Sequence, residues 1–288
     1  MKNCLLLGNG ISRLLGYYSW NEYLSILTQT DFSCLKSNCP KPLQVDLSIN
    51  CTERRISEKK NQLYRPIDFL QEEQIKVVKR LLSLDMNDYL TTNYTYELES
   101  VAIGSVANDN QLSKAVVSTL GTRKKDCKYQ LHVYNNYSYE GKTKRIWHIH
   151  GEQRKLYSII LGYKNYFGLL TKIAEYYKKE YSKSKTINCN KEINSWIDCF
   201  MTKTVHVLGF SFDFSEIDLW WLLLNRKAKE NSSLIYYYVA HENEFTDALK
   251  KAGVNITYVT HTVRDGKVDY MNYYNEAINL IEKNMTLL

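Results

Sequence analysis

The chain has no apolar run near the roughly 20 residues needed to cross a bilayer. Its strongest apolar stretches, Leu219 to Leu224 and the stretch around Leu234 to Ala240, stop far short, so no membrane partner is expected. The opening Met1-Lys2-Asn3-Cys4-Leu5-Leu6-Leu7 turns into Gly8-Asn9-Gly10 before an apolar segment of about 7–15 residues has formed, which argues against a secretory signal and for a cytoplasmic chain. The seven cysteines (Cys4, Cys34, Cys39, Cys51, Cys127, Cys189 and Cys199) are odd in number and lack a CxxC pair. That pattern argues against a disulfide framework and a structural zinc site and predicts reduced thiols. The nearest approach to a metal set, Cys34, Cys39 and Cys51, matches no closed tetrahedral spacing, and no metal is expected. No GxSxG elbow occurs, since Gly209-Phe210-Ser211-Phe212-Asp213 lacks the second glycine, so a serine hydrolase is disfavoured. A cysteine nucleophile stays open, with nothing local to single out one of the seven.

What is present is an ordinary globular composition: 44% hydrophobic and 24% charged residues in 288 exclude disorder as the dominant state and allow a sizeable core. A net charge of +7 invites a nucleic-acid reading, but Lys and Arg are spread along the chain. The densest stretches, Arg123-Lys124-Lys125 with Lys128 and the Lys172 to Lys191 region, carry no nucleic-acid motif, so specific nucleic-acid binding is not expected.

Periodicity alternates strands with helices, which predicts an α/β, Rossmann-like three-layer fold: a parallel sheet with helices on both faces. One domain is expected over 1–288, with irregular insertions at about 28–65 and 104–144. Strands are predicted at 2–7, 88–92, 145–149, 156–161, 204–208, 233–239 and 255–260. Helices are predicted at 11–27, 67–84, 96–101, 164–181, 194–201, 217–229, 242–252 and 270–284. Tyr129 to Tyr139 alternates and suggests a hairpin closed by Asn135-Asn136. No internal repeat is apparent.

Four segments fall at the C-terminal ends of predicted strands, where open parallel sheets bind ligands. They are Gly8 to Ser12, Thr91 to Thr95, His150-Gly151 and Gly209 to Ser211. Glycines in the first turn let backbone N–H groups approach a phosphate; the third glycine of the dinucleotide fingerprint is missing, so a plain tight turn is the alternative. Asn93 is suited to holding a sugar hydroxyl or an attacking water, or else stabilises its own turn. His148 and His150 share a face if the strand is regular, and His150 at its end suits a proton acceptor at neutral pH. A metal pair there lacks an evident third ligand. Glu152 is a second acid or base, or a solvated carboxylate.

As an ordered set, LLLGNGIS with SWNEYL, TTNYTYELE, IWHIHGE with ILGYKNY, and VLGFSFDFSEIDLWWLL resemble the sirtuin-like domains of bacterial anti-phage defence systems. The similarity reaches both ends of the domain. It implies that Gly8, Asn9, Gly10 and Ser12 cradle the pyrophosphate of NAD, with Thr92 and Thr95 also on the cofactor side. Asn93 would hold the nicotinamide ribose or a water, His150 would be the general base, and Gly209 and Ser211 would line the adenosine side. Asp218 would cap or anchor its helix. The implied activity is an NAD glycohydrolase that consumes NAD as substrate, releases nicotinamide and ADP-ribose, and halts the infected cell. Implied partners are further copies of the chain and a P-loop ATPase encoded alongside. Alternatives are an NAD- or ADP-ribose-binding sensor without turnover and an NAD-dependent protein deacylase. Thr95 replaces the aspartate of the sirtuin Thr-x-Asn-x-Asp segment, and the four-cysteine zinc module of deacylating sirtuins is missing. The same motifs also resemble the phage abortive-infection H family.

Overall fold

Asn3–Leu7 (β1) is buried at every residue, a pattern tolerated by a central strand covered on both faces. In the computed structural model, which describes residues 2–28, 39–47, 71–103, 118–119, 128–153 and 155–286, β1 is that central strand. It pairs in parallel with Asp88–Thr91 (β2) and with Thr204–Leu208 (β6), Cys4 lying opposite Asp88 and Val205. Lys142–His148 (β5) continues the parallel sheet beyond β2, and Ile235–Val239 (β7) and Asn255–Tyr258 (β8) continue it beyond β6. Val133–Tyr139 (β4) runs antiparallel along β5, and the two-residue Ser118–Thr119 (β3) pairs with β4. Val263–Arg264 (β9) and Lys267–Val268 (β10) form a separate small hairpin. In the order β3-β4-β5-β2-β1-β6-β7-β8, strands are first added on one side of β1 and then, from β6, on the other. The crevice of an open α/β sheet lies at such a reversal.

Alternate side chains of β1 enter two cores. Cys4 and Leu6 join the core beneath Gly162–Glu180 (α6), Trp196–Thr202 (α7), Ile217–Lys227 (α8) and Thr246–Lys251 (α9), which contribute Leu169, Phe200, Leu219 and Leu249. Leu5 and Leu7 join the opposite core, beneath Asn9–Leu14 (α1), Glu72–Ser83 (α4), Glu97–Ile103 (α5) and Tyr270–Thr286 (α10), which contribute Ile11, Val78, Leu98 and Ile278. Each of these Leu, Ile, Val and Phe side chains contributes about 1.5–3 kcal/mol by leaving water. The fold is therefore the expected Rossmann-like three-layer α/β arrangement. A smaller cluster joins Trp20–Thr28 (α2) and Lys41–Leu47 (α3) through Leu24 and Val45 to Tyr94, Ile159 and Leu161. Among the described residues no helix is long and apolar enough to cross a membrane.

Three local expectations differ from the structure. The helix predicted over 11–27 is two helices, because Gly16 turns left-handed (φ 77°) and Ser19 starts α2 by exchanging hydrogen bonds with Glu22. The strand predicted over 156–161 begins instead as a 3-10 turn, Leu156–Ser158, which the Ser158 hydroxyl tightens by donating to Lys155 O (2.6 Å) and accepting from Glu152 N (3.1 Å). Asn135-Asn136 do not close a hairpin: they sit mid-strand opposite Ile146 and Arg145. The turn is Glu140-Gly141, with φ 50° and 72°, the double positive φ that a two-residue hairpin loop demands. Residues 133–144 are thus part of the main sheet and its hairpin rather than of an insertion. Within the other insertion, α3 packs on α6, where Asp46 Oδ2 accepts from Tyr163 N (2.9 Å). Residues 29–38, 48–70, 104–117 and 120–127, with Cys34, Cys51, Cys127 and Arg123-Lys124-Lys125, lie outside the described residues.

Candidate functional site

A cavity of about 680 Å³ opens at the strand ends around β1 and β6, within the range usual for ligand sites. Its wall includes Asn9, Gly10, Ser12, Thr92, Asn93, Thr95, His150, Gly209 and Ser211, nine of the ten residues singled out in the sequence. The tenth, Gly8, stands behind them.

The glycines are there first for packing. Gly8 N donates to Leu208 O (3.2 Å) and Gly10 N to Gly209 O (2.8 Å), which zips the loop after β1 to the loop after β6. A Cβ on Gly10 would lie 2.6 Å from the Tyr274 hydroxyl, and one on Gly209, at φ 65°, would lie 2.5 Å from it. The N–H groups expected to cradle a phosphate are, at Gly8 and Gly10, already donated to this neighbouring loop. The cations on the wall are Arg13 and Lys41, neither of which has an ion pair among the described residues. The sequence patterns at these two positions gave no sign of that role.

Asn93 is held at three points. Its backbone N donates to Thr91 Oγ1 (3.1 Å), its Nδ2 to Gly8 O (3.2 Å), and its carbonyl accepts from His148 Nδ1 (2.7 Å). Its side chain therefore bridges to the loop after β1 rather than serving its own turn, and Oδ1 has no hydrogen bond with the described residues. Because a carbonyl only accepts, Nδ1 of His148 must carry a proton. His148 Nε2 lies 2.7 Å from Glu99 Oε1, which also accepts from Asn135 Nδ2 (3.0 Å). Burial opposes the imidazolium, but Glu99 and Glu152 outweigh it, so the His148 pKa is pushed up to about 9. Glu152 is not solvated: it is buried and accepts from Tyr96 Oη, Gln130 Nε2 and Lys155 Nζ. Burial works against its charge, yet His148 and Lys155 hold its carboxyl below the ordinary value.

His148 and His150 do not share a face. β5 ends at His148, and the chain turns into Gly151 (φ 91°), where a Cβ would meet Ser158 O at 2.1 Å. His148 therefore meets Glu99 of α5, whereas His150 meets Asp218 of α8, across the sheet. His150 Nε2 lies 2.9 Å from Asp218 Oδ2, and Nδ1 lies 3.8 Å from Glu216 Oε2. The Tyr166 ring packs on the imidazole at an interplanar angle of 72°, and its hydroxyl donates to Glu216 Oε2 (3.1 Å). Burial disfavours the His150 imidazolium, but Asp218 and then Glu216 overcome this and raise its pKa. Burial raises the Glu216 carboxyl, with His150 and Lys41 partly offsetting it. Asp218 does not serve as a cap; its carboxyl orients the histidine.

Elsewhere on the wall, the Thr95 hydroxyl donates to the buried Glu97 carboxyl. The acid missing at position 95 is thus present two residues later, behind the wall, with its pKa raised by burial and partly restored by Thr95 and Ser12. Ser211 is followed by Phe212, fully buried at φ 54° and held by edge contacts with Phe210, Trp220 and Tyr237. One atom each from His150, Glu216 and Asp218 lie within 4.8 Å of one another, so this triad is the set among the described residues with donors for a divalent cation. Glu97, Tyr166 and Glu216 fall within the segments TTNYTYELE, ILGYKNY and VLGFSFDFSEIDLWWLL that carry the resemblance but were not singled out as site residues, and Arg13 and Lys41 lie outside those segments.

No protein-family model matches the chain, and no curated protein sequence matches it.

Proposed function

We propose that the chain is an NAD glycohydrolase of the sirtuin-like kind, cleaving NAD to nicotinamide and ADP-ribose as the effector of an anti-phage abortive-infection system. The observation that carries the reading is the meeting of Asn93 and His150 on one cavity at the strand-order reversal, with His150 oriented by a buried carboxyl. That pairing is the base-and-orienter arrangement of general base catalysis.

Departure of nicotinamide takes the C1′–N bond pair with it and leaves an oxocarbenium-like ribose. Asn93 Oδ1 is available to a ribose hydroxyl. With Nε2 bonded to Asp218, His150 has Nδ1 left to take a proton from the water that captures C1′. Arg13 and Lys41 supply positive charge for the diphosphate, a task the engaged N–H groups of Gly8 and Gly10 do not perform. Such an activity, cytoplasmic and toxic to its host, calls for control by self-assembly or by a partner such as a P-loop ATPase encoded nearby.

The test is nicotinamide release from NAD by the purified chain beside Asn93→Ala and His150→Ala. Each substitution is expected to lower release by about 10²–10⁴-fold, the usual worth of a positioned acid–base group. Absence of release from the wild type, alone and together with its genomic neighbours, would overturn the reading.

A further inference from the structure

Glu216 is 7% exposed, reaches the cavity wall, and forms no salt bridge with a lysine or arginine among the described residues. Taking a carboxylate out of water costs several kcal/mol unless partners compensate. Here the direct partner is the neutral Tyr166 hydroxyl at 3.1 Å. Packing alone gives no reason for an acid here, since glutamine would fill the same space and accept the same hydrogen bond. Buried ionisable groups kept in a cleft at such cost mark functional sites.

The geometry supplies a use. The 3.8 Å between Glu216 Oε2 and His150 Nδ1 is too long for a direct hydrogen bond. One water at about 2.8 Å from each atom closes the gap. Asp218 already holds His150 Nε2, and the Tyr166 hydroxyl fixes Glu216 Oε2, the same oxygen that faces His150 Nδ1 and that keeps a lone pair for the water.

We infer that Glu216 is a second catalytic group of the cavity, which holds the attacking water jointly with His150; this rests on the glycohydrolase reading. The water oxygen forms the new bond to ribose C1′ as the C1′–N bond breaks and its electron pair leaves with neutral nicotinamide. The water gives one proton to His150 Nδ1 and directs its other hydrogen at Glu216. The carboxylate also faces the cationic ribose as it forms. The groups that set the charge state of Glu216 are His150 from the turn after β5, Lys41 from α3, and Asp218 on α8, with Tyr166 from α6 in direct contact.

The experiment compares wild type, Glu216→Gln and Tyr166→Phe. Glutamine keeps the volume and the Tyr166 hydrogen bond and removes the buried charge, so a melting temperature equal to or above that of the wild type is expected. For Glu216→Gln, kcat is expected to fall about 100-fold or more, with KM for NAD within about threefold, because the lost interaction is made with the water and not with bound NAD. Calorimetric binding of ADP-ribose should be unchanged. The His150 titration, followed by imidazole carbon NMR, should move to lower pH, since one of its two acidic neighbours is gone. Tyr166→Phe should cost far less than Glu216→Gln. An active wild type whose Glu216→Gln variant keeps kcat within about threefold overturns the role of Glu216 alone. A wild type that releases no nicotinamide overturns the glycohydrolase reading and, with it, this role.

Discussion

Replacing Gly209 with alanine tests the packing on which the cavity is built. The residue sits at φ 65°, where an L side chain costs about 1–2 kcal/mol. The added Cβ would also lie 2.5 Å from the Tyr274 hydroxyl, well inside contact distance, with Ile11 N at 3.1 Å and Gly10 Cα at 3.3 Å next in line. Overpacking of this kind costs about 1–3 kcal/mol. Gly209→Ala is therefore expected to lose about 2–5 kcal/mol, a large share of the roughly 5–15 kcal/mol that stabilises a domain. Tyr274→Phe removes the oxygen that clashes first. In that background the remaining contacts are tight but close to ordinary, so Gly209→Ala should cost only its backbone share of about 1–2 kcal/mol. Urea unfolding of the four proteins, with m constant, gives the cycle, and a coupling of about 1–3 kcal/mol is expected. Equal losses in both backgrounds would refute the argument that the Tyr274 hydroxyl enforces glycine at this turn.

Two other perturbations probe buried histidines. His206, stacked on Tyr236 and bonded to the Tyr238 hydroxyl, has its pKa pushed down to about 4 by burial. The unfolded chain takes this proton first, near pH 6.5, so stability should fall as pH drops from about 6.5 to 4, by roughly 3 kcal/mol. Urea midpoints at pH 7.5 and 4.5 should differ less in His206→Gln than in wild type; an equal acid loss would count against the assignment. His148→Ala leaves Glu99 buried without its imidazole and should cost about 3–5 kcal/mol, part of which Glu99→Gln restores. The same variant should speed hydrogen exchange across 91–95, where Asn93 loses its carbonyl contact. Strictly additive losses at His148 and Glu99 would show that the two do not act as a pair.

Much of the fold was legible because local patterns report local structure. The apolar run of Lys2 to Leu7 and the segment Thr204 to Leu208 were expected as strands and are strands, and the long helix now seen at Gly162–Glu180 was expected at 164–181. The hairpin was misplaced because Asn135-Asn136 reads as a turn dipeptide, while the Asn135 side chain is buried against Glu99, a contact no local pattern records. The candidate site was legible as four strand ends, since a parallel sheet gathers such ends on one edge whatever the connections between them.

The sequence by itself thus determined the layer architecture, the edge of the sheet on which the candidate site lies, and the presence there of Asn93 and His150. Only the tertiary structure decided that His148 and His150 face opposite sides, that Gly8 and Gly10 spend their N–H groups on the neighbouring loop, and that Asp218 and Glu216 flank His150. The physical reason is range. Hydrophobic period and turn chemistry act over a few residues, but the partner of His150 lies 68 residues away along the chain, and only the crossover that packs α8 against the sheet brings the two together.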